Sequence, residues 1–133
     1  MESKTREFVE ALINESPGLR AAYLQSIEEY DGDDLPNLLL GDLGIEIVRE
    51  FEQAGTATNQ RIFALIESGM GDDDPEGEFG TALATGLIEA VVGEAERMNL
   101  WQPISESLGK LSRAYIDAWF EQQESIARTI AYG

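Results

Sequence analysis

The chain contains no cysteine and no histidine, and only nine of its 133 residues are lysine or arginine. Without thiols there can be no disulfide framework, no thiolate zinc site and no redox motif, which fits a reducing compartment. Without imidazole, the side chain best suited to proton transfer near neutral pH is missing. No apolar run approaches the roughly 18 residues that a membrane-spanning helix needs. The opening residues, Met1-Glu2-Ser3-Lys4-Thr5-Arg6-Glu7, lack the apolar stretch of a signal peptide, so a soluble cytoplasmic protein is expected.

Against these absences stands an excess of acid: 26 Asp and Glu leave a net charge of −17. Such a surface repels nucleic acid and anionic membranes and draws in basic proteins. The hydrophobic share, 43%, is large enough for a packed core, so the acid must lie on the outside of a folded single domain, 1–133.

Apolar residues recur at helical spacing: Phe8, Val9, Leu12 and Ile13, then Leu19, Tyr23, Leu24 and Ile27, then Leu40, Leu43, Ile47, Val48 and Phe51. No segment alternates with the period of a strand, and an all-α fold is predicted. The four prolines fit helix starts, where a missing N–H costs nothing, with Ser16 and Asp74 placed to cap the helices of Pro17 and Pro75. Helices are expected over 4–14, 17–29, 36–53, 58–69, 75–97 and 103–130, forming a compact stack of about six antiparallel helices. Gly109 leaves the last as one helix or two. Its stripe Ile104, Leu108, Leu111, Tyr115 and Ala118 is expected to pack into a groove of the core. Laying Pro36 on Pro75 sets Leu40 on Phe79, Leu43 on Ala82 and Val48 on Leu87, a period near 40 that resembles HEAT-type helix pairs.

Two acidic stretches, 28–34 and 67–78, hold eleven of the 26 acids and no base. If the repeat stacks, both fall at one end of the molecule and form a negative face. The candidate partner-binding residues are therefore Asp31, Asp33, Asp34, Asp72, Asp73, Asp74, Glu76 and Glu78, which can speed association and pair with arginine. Laid on a calcium loop, Asp72, Asp74, Glu76 and Glu78 take positions 1, 3, 5 and 7, but position 12 is Leu83, which cannot supply the closing carboxylate. No metal or cofactor is expected. Asp42 and Asp117 are the acids in the most apolar surroundings, without a further sign of catalytic use, so the chain is read as a non-enzyme. Trp101, Tyr115, Trp119, Phe120 and Tyr132 are expected in the core, with Trp101 or Tyr132 a candidate interface anchor if exposed.

Three stretches, Asp34-Leu35-Pro36-Asn37-Leu38-Leu39-Leu40-Gly41-Asp42-Leu43, Ile62-Phe63-Ala64-Leu65-Ile66-Glu67, and Asp72-Asp73-Asp74-Pro75 ahead of Leu83-Ala84-Thr85-Gly86-Leu87-Ile88-Glu89, resemble a group of small acidic helical bacterial proteins. That group is similar to the immunity proteins encoded beside bacterial toxins. The resemblance covers residues 34–89, transfers no functional residue, and implies an inhibitor. The expectation is an immunity protein that neutralises a basic, nuclease-type toxin domain through its acidic loops. Two alternatives stand beside it: a helical adaptor or scaffold working through Trp101 and the 103–130 helix, and a weak divalent-cation module built on the Asp72 loop.

Overall fold

The computed structural model describes residues 1–30 and 35–132, the side chain of Tyr132 excepted. Among the described residues there are helices and no strand, so the predicted all-α class holds. Helix α1 spans Ser3–Ile13 and α2 spans Pro17–Glu29. Ser16 accepts the Leu19 N–H on its Oγ at 2.9 Å, and Pro17 takes the first helical position, as the sequence predicts. Helix α3, Pro36–Arg49, is followed after Glu50 by the short α4, Phe51–Ala54. Gly55, with φ at +89°, then turns the chain into α5, Thr56–Met70.

The next helix starts later than predicted. Pro75 is not its first residue: the Gly77 N–H donates to the Asp74 carbonyl at 3.1 Å, which closes a β-turn with Pro75 at its second position. Asp74 thus opens a turn instead of capping a helix. Helix α6, Glu78–Thr81, then runs without interruption through a π-helical segment, Ala82–Ile88, into α7, Glu89–Arg97. A Schellman motif ends α7: Leu100 N–H donates to Ala95 O, Asn99 N–H donates to Glu96 O, and Asn99 is left-handed at φ 59°.

The segment predicted over 103–130 is two helices, α8 (Trp101–Ser107) and α9 (Lys110–Tyr132). Pro103 lies within the first turn of α8, not at its start. Leu108 adopts an extended backbone, ψ 145°, and this break rotates α9 about its axis relative to α8. The predicted stripe therefore holds for Ile104 and Leu108, keeps Tyr115 half-buried against the core, and fails at Leu111 and Ala118. Leu111 is 45% exposed and Ala118 is exposed, while Ser112 and Ile116 point inward.

The core is one cluster of buried side chains from Phe8 to Ile116, with Leu12, Leu40, Leu43, Ile66, Leu83 and Leu87 fully enclosed. Burial of each such side chain contributes ~1.5–3 kcal/mol. The closest helix pair is α3 against the 78–97 run. A Cβ on Gly86 would lie 2.7 Å from the Asn37 carbonyl oxygen, and one on Gly44 would lie 2.7 Å from that of Leu87. Glycine is required at both places because backbone lies on backbone. The contacts advance together along the two helices, from Asn37 Nδ2 to Thr85 Oγ1 at 3.0 Å to Arg49 Nε to Glu94 Oε2 at 2.9 Å, so the pair is parallel. The two halves of the proposed repeat do lie side by side, but their bonded partners are 45 and 48 residues apart, not 39. Antiparallel neighbours, as expected for the stack, are seen in α2 and α3, where Ser16 bonds Glu50 and Ser26 bonds Asp42.

Candidate protein-binding surface

Asp31, Asp33 and Asp34 lie outside the described residues. Their neighbours Tyr30 and Leu35 line a cavity of about 350 Å³ together with Met1 and Arg6. Met1 also lines the cleft on its other side, with Lys4, Asp72, Asp74 and Gly77. Met1 thus lies between Tyr30 and Leu35 on one hand and the second acidic stretch on the other, while the predicted common face falls on residues outside those described. The first turn of α1 stands between the two groups and carries the bases Lys4 and Arg6.

The five carboxylates from Asp72 to Glu78 divide by what they bond. Lys4 Nζ bridges Asp72 Oδ2 and Asp73 Oδ1, each at 3.1 Å. Asp72 also accepts the Asp74 N–H, and that bond together with Lys4 holds its carboxyl below the usual range. Hydrogen bonds to Asp73 and Asp72 in turn raise the Lys4 ammonium above its ordinary value. Glu78 Oε2 faces α1, where it accepts the Glu2 N–H at 2.8 Å and the Thr5 hydroxyl at 2.9 Å. Asp72 and Glu78 thus fasten α1 to the loop. Asp73, paired with Lys4 on one oxygen, keeps its side chain 92% exposed, and the exposed Asp74 and Glu76 point outward.

This divergence also bears on the calcium-loop alternative. Asp72 and Glu78 turn toward α1, and Leu83 is fully buried in the core. Among the described residues no three acidic groups are arranged to hold a metal ion.

Elsewhere the inner carboxylates are held by bonds that the fold uses. Glu67, counted with the acidic stretch in the sequence, leaves α5 to cap α9: its two oxygens accept the N–H groups of Leu111 at 2.7 Å and Ser112 at 3.0 Å, and the Ser112 hydroxyl at 2.9 Å. Burial raises the Glu67 pKa, and these three bonds outweigh burial and set it below the usual carboxylate range. Glu94, 8% exposed, receives Arg97 at 2.7 and 2.8 Å and Arg49 at 2.9 Å. The Arg97 bonds lead in lowering its pKa to about 2, against the cost of burial. Asp42 accepts Ser26 at 2.6 Å and Tyr30 at 2.9 Å; burial and then this bond push the Tyr30 phenol up to about 12. Asp117 is exposed.

The role of Glu67 has no signature in the sequence. For Glu94 the pairing with Arg97, three residues apart on one helix, was the available signal. Trp101 is half-buried, set edge-on to Phe120 with centroids 6.2 Å apart, and Phe120 stacks on Trp119 at 5.7 Å. Phe120, expected in the core, is 37% exposed because the end of α9 passes beyond the body.

No helix among the described residues is long and apolar enough to cross a membrane. No protein-family model matches this chain, and neither a curated protein nor a solved structure matches it.

Proposed function

We propose that this chain is a non-enzymatic binding protein that offers carboxylates to a basic protein, in the manner of an immunity protein occupying the phosphate-binding surface of a nuclease toxin. The observation that carries this reading is the division of charge. Lys4, Arg49, Arg61, Arg97 and Arg128 each lie within 3.9 Å of a carboxylate of the same chain, while Asp74 and Glu76 face outward, beside an Asp73 that Lys4 meets on one oxygen only, from a molecule of net charge −17. A basic surface meeting that loop gains bidentate arginine contacts and a faster encounter. The inner carboxylates support a binding role over catalysis, because Glu67, Glu78 and Glu94 are engaged by donors of the fold itself.

The test replaces Asp74 and Glu76 together with lysine and leaves Asp72, Asp73 and Glu78 to hold α1. Binding to a basic nuclease domain is then measured by calorimetry at low and high salt. The wild-type complex should weaken with salt, and the double variant should bind at least tenfold less tightly with an unchanged melting temperature. Equal binding by both proteins at low salt would sink the proposal.

A further inference from the structure

Asn59, in the first turn of α5, is 8% exposed, and its amide is bonded on one branch only. Nδ2 donates to the Phe51 carbonyl at 2.7 Å, which fixes the orientation of the group, because the amide oxygen could not face another oxygen there. Oδ1 is left enclosed without a donor, and it is alone in this among the described residues. A buried acceptor that has given up its hydration and gained no hydrogen bond is rare in a folded chain and points to a donor supplied from outside.

Asn59 stands in the wall of a cleft of about 540 Å³ between α4, the start of α5 and the end of α8. Side chains lean toward the N-terminus of their helix, so the amide is directed toward Phe51 and Gly55, which line the same cleft. The ionisable groups of the lining are Glu52 and Glu106, both exposed, with no base among them. Gln102 takes one oxygen of Glu106 at 2.9 Å and leaves the second to a ligand. Ser107 gives its proton to the Pro103 carbonyl and so offers only lone pairs. The half-buried Phe51 adds an apolar wall.

We infer that this cleft binds a short aliphatic diamine, with one ammonium donating to the Asn59 oxygen, the methylene chain on Phe51 and the second ammonium held by Glu52 and Glu106. The lining supplies acceptors, negative charge and one ring, and the ligand that complements it brings N–H donors, positive charge and a short apolar stretch. A compact ammonium with three donors suits a lone enclosed acceptor, whereas a planar guanidinium needs acceptors side by side. Thr56 and Gln60, one turn apart and exposed, turn aside to admit the head. The field of a chain of −17 gathers cations at its surface and aids entry. The acidic loop is not involved, since it lies beyond the other end of α5, about 20 Å away.

Heteronuclear NMR of the full chain, titrated with putrescine, tests the site. The side-chain amide resonances of Asn59 should shift and saturate, while those of Asn14, Asn37 and Asn99 stay in place. The double variant E52Q/E106Q should weaken binding about tenfold with an unchanged melting temperature. E96Q/E121Q removes the same charge from elsewhere on the surface and should weaken binding less than about twofold. A still Asn59 resonance would leave a trapped water as the donor and overturn the inference. Equal weakening by the two double variants, or an equal Asn59 shift from magnesium chloride or ethylguanidinium at the same ionic strength, would overturn it as well. None of these outcomes touches the acidic-loop proposal, which is read from Asp74 and Glu76 at the far end of α5.

Discussion

The 78–97 run and the outer half of α9 are both amphipathic helical segments, yet they meet opposite surroundings. The first lies so close to α3 that Gly44 and Gly86 leave no room for a Cβ, while the second carries Ile126 and Ile130 into solvent. The difference shows that an apolar stripe specifies a helix and a face but not whether the same chain supplies the opposing surface. In the 78–97 run the opposing surface is α3; in α9 it ends near Trp119.

The sharpest way to break this contrast is to fill the close seam. Gly86→Val should cost about 3 kcal/mol in urea unfolding, because the added atoms meet the Asn37 backbone, which cannot rotate away. Gly93→Ala is the control on the same run: nothing lies within 4 Å of its new Cβ, and helix propensity alone should stabilise by about 0.5–1 kcal/mol. Equal effects at the two glycines would dissolve the distinction.

Next in size is the root of α9. Glu67→Ala removes the acceptor for two backbone N–H groups and for the buried Ser112 hydroxyl, an expected loss of about 2 kcal/mol. Hydrogen exchange should show protection falling first in 110–116, with the 78–97 run unaffected.

Acid sharpens the comparison on the side of the body. The depressed pKa of Glu94 means that its contribution is present above the ordinary carboxylate range and is lost as pH falls toward about 2. With both arginines more than half exposed, that loss is on the order of 2 kcal/mol. Glu46 runs the other way: burial and then Glu50 raise its pKa, so protonation on mild acidification favours the fold. Melting temperature should therefore rise slightly from pH 7 to about 5 and then fall below about 4.5, and Glu94→Gln should flatten the fall. The smallest effect belongs to the tip of α9, where Ile130→Ala in dilute solution should change stability by less than about 0.5 kcal/mol.

The parts of the fold legible in the sequence are those governed by neighbours in the chain. Phe8, Val9 and Leu12 mark one buried face and Leu40, Leu43, Ile47 and Val48 another, and Ser16 with Pro17 fixes a helix start to the residue. What was not legible depends on residues distant in sequence. Glu67 reads as part of an acid cluster until the start of α9 arrives beside it, 44 residues later. Pro75 suits a helix start and a turn equally well, and the Gly77 N–H decides for the turn. The acidic loop is legible as a run of carboxylates, but which of them bond α1 follows from Lys4 and Thr5, which no local pattern connects to it.

The single carboxylate at the root of α9 also has a mechanical consequence. From Ser112 to the tip the helix extends about 30 Å, so a tilt of about 4° at the root displaces the tip by about 2 Å. Glu67 grips Leu111 and Ser112 at once, and two bonds on successive residues resist rotation in a way that one cannot. The helix behaves as a lever whose pivot is a pair of hydrogen bonds, and the aim of its far end is set there.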